Sequence, residues 1–161
     1  MTRKSILILP ALIFAAFSGC GSGGAANVSV KDILERVQSE VATIVSVEMA
    51  TEATDGNNLL GKQGQYIELG WFTDSRIERN MVVESLLQAN PRGTDNGGAI
   101  EKFRSTKDAQ KRNEYLSKFD GAGILSSGYH EQCGVFVIRV SNKLTASQQN
   151  ELAEKIKKAI K

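Results

Sequence analysis

Arg3 and Lys4 lead into a stretch from Ser5 to Phe17 that, after its opening serine, holds only small and apolar residues, and the stretch runs out at Gly19-Cys20. A positive start followed by an apolar run of this kind has the form of a secretory signal peptide. Its thirteen residues make roughly 20 Å of helix, well short of the ~30 Å hydrocarbon core that a spanning helix must cross. The segment is therefore expected to be removed and not to remain as a transmembrane helix. Whatever folds must lie downstream of it. Cutting before Cys20 takes nineteen residues from the 161 and leaves 142, enough for one domain with a real core and too few for a two-lobed solute-binding protein.

Phe17-Ser18-Gly19-Cys20 resembles the lipobox of bacterial lipoproteins, in which small residues lead into a cysteine that receives a diacylglyceryl group before cleavage. Phe17 stands where leucine is usual; the Gly-Cys pair is intact. The resemblance implies lipid, including palmitate, on Cys20 and anchorage to the outer side of the cell membrane, where two acyl chains attach stably and one would be marginal. Gly21-Ser22-Gly23-Gly24-Ala25-Ala26-Asn27 carries no apolar periodicity, so residues 20–27 read as a flexible tether and 28–161 as the folded domain. No aspartate follows Cys20, so no inner-membrane retention signal is evident.

The net charge of +2 comes from Arg3 and Lys4; without residues 1–19 the chain holds 18 basic and 18 acidic side chains. Such a balance gives no electrostatic case for nucleic acid. With Cys20 assigned to lipid, Cys133 is the one thiol left, so no internal disulfide is expected and Cys133 is placed in the core. His130 is the only histidine, which argues against a zinc site, and no cofactor is implied.

Three helix starts are legible: Ser29 with Asp32, Ser105 with Asp108, and Thr145 with Gln148. The apolar spacing of Val30, Ile33, Leu34, Val37, Val41, Ile44 and Val45 predicts a helix over residues 30–48. Tyr66 to Phe72 and Ala99 to Arg104 read as strands and Asn90 to Gly98 as a loop; in residues 76–89, Ile77, Met81, Leu86 and Leu87 fit a helix loosely and favour it, while Met81-Val82-Val83 suits an extended segment equally. A second helix runs from Ser105 to about Phe119 and stops at Gly121 and Gly123. Tyr129 to Val140 is predicted as one central, most apolar strand, and Leu152, Ile156, Ala159 and Ile160 form the inner stripe of a last helix. The order gives an α+β class: a small single domain with an antiparallel or mixed sheet and helices packed on one face.

Asp55-Gly56-Asn57-Asn58-Leu59-Leu60-Gly61-Lys62-Gln63-Gly64-Gln65-Tyr66, followed by Phe72-Thr73-Asp74-Ser75-Arg76-Ile77, resembles a family of small lipoproteins, found mainly in Gram-positive bacteria, that has no assigned activity. There an Asn-Asn-Leu-Leu-Gly-Arg-Pro block leads to a tyrosine and an Asp-x-Arg element; Lys62 and Gln63 replace Arg-Pro here. Read from its residues, this loop is pinned to the core by Leu59 and Leu60, with Gly61 and Gly64 at positive φ. In a functional reading Asp55, Asn57, Asn58 and Lys62 line a recess beside Tyr66 and Trp71 for a polar ligand such as a glycan or peptide. Asp55-x-Asn57 has calcium-loop spacing but lacks the later acidic ligand. Asp74 and Arg76 read as a structural ion pair, and Arg139 as reaching solvent or a carboxylate.

No Gly-x-Ser-x-Gly or His-Glu-x-x-His stands in the chain, so no enzyme is expected. The leading expectation is a membrane-anchored binding or interaction module. The alternative is an accessory subunit of an envelope complex such as a transporter or cell-wall machinery. A third reading, a hydrolase using Glu68, Asp74 or Glu101, requires a perturbed carboxylate in a cleft.

Overall fold

The computed structural model describes residues 27–78, 92–121 and 128–161. Ser29 caps α1 (Val30–Glu40) with a capping box: its hydroxyl accepts from the Asp32 amide while the Asp32 carboxylate accepts from the Ser29 backbone. Val30, Ile33, Leu34 and Val37 form the buried stripe, each contributing on the order of 1.5–3 kcal/mol by leaving water. The helix stops at Glu40, eight residues before the expected end, and the chain turns into β1 (Ile44–Met49). Thr43, Ile44, Val45 and Val47 explain the difference. A cluster of β-branched side chains loses rotamer freedom in a helix and suits a strand, and Val45, expected on the buried stripe, is 56% exposed.

Next come β2 (Glu68–Asp74), a short 3-10 turn (Thr94–Asn96), β3 (Gly97–Lys102), α2 (Thr106–Ser117), β4 (Tyr129–Cys133), β5 (Phe136–Val140) and α3 (Ala146–Ile160). The strands form one sheet in the order β1-β2-β3-β5-β4, every pair antiparallel. Gly97 and Gly98, expected in the preceding loop, are the first residues of β3. The single strand expected from Tyr129 to Val140 is two. Gly134, at φ 59°, opens a two-residue hairpin turn that reverses the chain, so β5 lies inside the sheet and β4 forms its edge. Residues 76–89, open between helix and strand with helix favoured, fall mostly outside the described residues.

The α+β class, the single small domain and the antiparallel sheet are as expected. The helices divide between the two faces of the sheet instead of sharing one. Phe72, Ile100, Phe136, Ile138 and Val140 pack with the buried stripes of α1 and α3. Leu69, Trp71, Ala99 and Val137 point the other way and pack with Tyr66, Phe103 and, from α2, Ala109 and Leu116. Strand alternation is the cause, since neighbouring residues of β2, β3 and β5 face opposite sides and both sides hold large apolar groups. The start of α1 is tied to the sheet by charge: Glu68 accepts from the Val30 amide at 2.7 Å, and Lys102 donates to Glu68 at 3.1 Å and to the Val28 carbonyl at 2.9 Å. No helix among the described residues is long and apolar enough to cross a membrane.

Gly98 sits opposite Phe72 on β2 and Val140 on β5, and a β-carbon there would collide with the Arg139 carbonyl and the Phe72 ring. Gly98→Ala is expected to destabilise the domain by about 2–3 kcal/mol through overpacking against backbone, read as a lowered midpoint of urea unfolding with an unchanged slope.

Candidate functional site

The loop between β1 and β2 is organised by one carboxylate. Asp55, 6% exposed, accepts from the backbone amides of Asn57 (3.1 Å), Leu59 (2.7 Å) and Leu60 (2.8 Å), and from the Tyr66 hydroxyl at 2.8 Å. Left-handed backbone at Asn58, Gly61 and Gly64 (φ 54°, 76° and 73°) lets the chain curl around that acceptor, a conformation glycine adopts without a β-carbon clash. The positive φ expected for both glycines is present. Tyr66 is fully buried, edge-on to Phe103 at 6.2 Å, and the Gly61 amide donates to its carbonyl at 2.8 Å.

Burial alone would raise the Asp55 carboxyl, but the donors from Leu59, Tyr66, Leu60 and Asn57 outweigh it and hold the group below its ordinary value. Tyr66 moves the opposite way, pushed up by burial and by the carboxylate it serves, against the Asn57 amide that donates to it.

The six residues expected to share a recess do not meet in one. Tyr66 and Trp71 belong to the core of the second sheet face. Asp55, Asn58 and Lys62 border a recess of about 310 Å³ with Glu52. Asn57, whose side-chain amide lies 3.5 Å from the Tyr66 hydroxyl, opens instead onto a larger cleft. The loop that holds them wraps around Asp55, so its side chains leave in different directions. Cys20 lies outside the described residues.

The larger cleft, about 810 Å³, lies between this loop and α2, within the size range of small-ligand sites. The loop contributes Asn57, Leu59, Gln63 and Gln65; α2 and its C-terminal extension contribute Asp108, Lys111, Arg112, Tyr115 and Phe119; β5 contributes Arg139. Tyr115 is half exposed and stands edge-to-face with Phe119 at 5.3 Å, and the Arg112 guanidinium lies 5.7 Å from the Tyr115 ring centre.

Beneath the cleft is Glu101 of β3, 1% exposed. Its carboxylate accepts a forked pair from Arg112, Nε at 2.7 Å and a terminal nitrogen at 2.8 Å, and a longer bond from Arg139 at 3.4 Å. Burial disfavours the Arg112 charge, yet the paired Glu101 carboxylate more than offsets this and holds the guanidinium above its ordinary value. Arg139 is less fully engaged: its Nε is buried and has no hydrogen-bond partner among the described residues. Beside it, His130 sits opposite Arg139 in the β4–β5 pairing, with Nδ1 2.8 Å from Asn113 and Nε2 3.1 Å from Asp120.

The expectation that Arg139 reaches solvent or a carboxylate is met by Glu101. What sequence reasoning did not assemble is the Glu101-Arg112-Arg139 group. One signal for it was present: Ala109, Arg112 and Leu116 recur at helical spacing, which puts an arginine on the buried stripe of α2.

The remaining candidates are structural. Asp74 accepts from Arg76, the shortest contact being 2.6 Å, and Arg76 also reaches Glu151 at 3.3 Å; that ion pair matches the expectation. Each carboxylate considered for hydrolysis is therefore bound to a cation, Glu68 to Lys102, Asp74 to Arg76 and Glu101 to two arginines. Cys133 is fully buried, as expected, but it is disulfide-bonded, which corrects the expectation of a lone thiol. That expectation followed from giving the Cys20 sulfur to lipid, and Cys20 is the only other cysteine in the chain. Among the described residues no group of three His, Cys, Asp or Glu could hold a metal ion.

The chain matches no family model, no curated protein and no solved structure.

The depressed Asp55 carboxyl carries a pH signature. Its contribution to stability is fully present above the unfolded carboxyl value near ~3.9 and is lost as pH falls through the lower folded value. Asp55→Asn is expected to destabilise the domain at neutral pH, with the difference from the parent shrinking as pH falls below about 4. Chemical unfolding at a series of pH values checks this; a difference that stays constant would show that the carboxylate charge is not what holds the loop.

Proposed function

We propose that this chain is a lipid-anchored extracytoplasmic lipoprotein whose domain is a binding module for a polar ligand. The observation that carries the binding reading is the cleft between the Asp55 loop and α2. It is built from amide, guanidinium and aromatic groups on a framework in which Asp55 fixes one wall and Glu101 the floor. A pocket of this kind offers hydrogen bonds in fixed directions and an aromatic edge for the faces of sugars or peptide groups. Chemistry on the ligand has no support among the carboxylates considered for it, since each is occupied by a cation.

The anchoring reading rests on the apolar run ending in Ser18-Gly19-Cys20. A sulfur alkylated by diacylglycerol cannot also bond to Cys133, so lipid and disulfide are alternative fates of one atom. In a bacterial host, an alkyne-tagged fatty acid is expected to label the chain and Cys20→Ser to abolish both label and membrane fractionation. Intact mass without reductant separates the two fates, because lipidation adds a diacylglyceryl group and the disulfide only removes two hydrogens.

Glycan and peptide panels added to purified protein are expected to include members that raise the melting temperature, with Tyr115→Ala, on the cleft rim, reducing the shift. No stabilising member in either panel would count against the binding reading.

A further inference from the structure

The charges around the cleft do not cancel. Arg112 and Arg139 share the single Glu101 carboxylate, leaving one surplus positive charge at the floor. At the rim, Lys111 is matched by Asp108 at 3.5 Å. The surplus belongs mainly to Arg139, because Arg112 makes both short bonds to Glu101 while Arg139 makes one at 3.4 Å and its buried Nε meets no partner among the described residues. Arg139 lines the cleft with its side chain 18% exposed, which leaves its guanidinium within reach of a ligand there.

We infer that the cleft selects ligands carrying a carboxylate, seated on Arg139 with Arg112 and Lys111 beside it. The inference rests on the binding reading above and names the ligand's chemistry. Two features favour a monoanion such as carboxylate over a dianion such as phosphate. One surplus charge neutralises one negative charge, and a second would have to draw on Lys111, which is already paired with Asp108. Arginine also matches a planar carboxylate with a fork of parallel donors. Around that charge, Asn57, Gln63 and Gln65 present amide groups that can hydrogen-bond hydroxyls or peptide amides, and Tyr115 and Phe119 present ring surface. The ligand is thus a carboxylate on a hydrogen-bonding scaffold, with a uronic-acid sugar and a free peptide C-terminus as its two sources.

The test pairs each acid with its neutral counterpart. A galacturonic-acid oligosaccharide is titrated against its methyl ester, and a short peptide with a free C-terminus against the same peptide amidated. The isotopically labelled purified protein is followed by NMR, including the arginine Nε–H resonances. An acid in at least one pair is expected to bind about tenfold more tightly than its neutral form, with the Arg139 Nε–H signal moving on binding. Arg139→Gln is expected to erase the preference while the domain stays folded, since Glu101 keeps its forked partner Arg112. Lys111 is 64% exposed at its side chain, and Lys111→Glu offers a second variant that reverses rim charge without touching the core; it is expected to weaken the acid form and spare the neutral one. Which pair responds separates sugar from peptide.

Equal binding of acid and neutral forms in the cleft, or a preference that survives both substitutions, overturns the carboxylate assignment and leaves the binding reading standing. If no cleft resonance moves with any of the four, both are overturned.

Discussion

The polar face of the sheet is organised around a buried negative charge. Moving a carboxylate from water into the interior costs several kcal/mol unless partners replace its hydration, and Glu101 at 1% exposure meets that condition only because Arg112 and Arg139 reach it. Arg112 arrives from α2 and Arg139 from β5, so the charge joins a helix to two central strands. With Ala109 and Leu116 as its only fully buried residues, α2 has a thin apolar stripe and gains much of its orientation from this contact. A buried ion pair is a weak source of net stability but a strong constraint on arrangement: other placements of α2 would strand a carboxylate or a guanidinium.

The two faces of the sheet consequently have different character. Beneath α1 and α3 the contact is almost wholly apolar, with Phe72, Ile100, Phe136 and Ile138 meeting two amphipathic helices. On the other face the apolar group around Trp71 and Phe103 shares space with Asp55, Tyr66, Glu101, Arg112 and His130, and their hydrogen bonds set geometry in a way that apolar packing does not. Apolar packing is more extensive on the first face, and directional contacts dominate the second. The cleft lies on the second.

The legible parts of this fold were those coded by local patterns. The caps at Ser29, Ser105 and Thr145 each accept from the amide three residues on, because a cap is a contact between near neighbours in sequence. The leucines and glycines of the Asp55 loop behaved as their types required. What failed was harder to see locally. Val41, Ile44 and Val45 satisfy helical spacing by coincidence while their β-branching favours a strand, and the twelve residues from Tyr129 to Val140 read as one strand until Gly134 is given its left-handed turn. The Glu101-Arg112-Arg139 group was legible only as an arginine on the buried stripe of α2, and its partners were hidden for a deeper reason. Its members are eleven and 38 positions apart, and no periodicity connects a strand to a helix packed across it. The Asp55 loop misled by proximity: residues adjacent in sequence looked like one recess, although a chain coiled around a central acceptor sends its side chains outward in several directions.

That division between faces bears on how an anchored form would work. Eight residues from Cys20 to Asn27 reach at most about 29 Å when extended, so a lipid on Cys20 would keep the domain within one domain's width of the bilayer. The tether would join the domain at α1, whose start is held to the sheet by Glu68 and Lys102 and which covers the apolar face. The cleft opens on the opposite face, between the Asp55 loop and α2. Attachment and ligand capture would therefore use different surfaces, and a short tether need not obstruct the cleft.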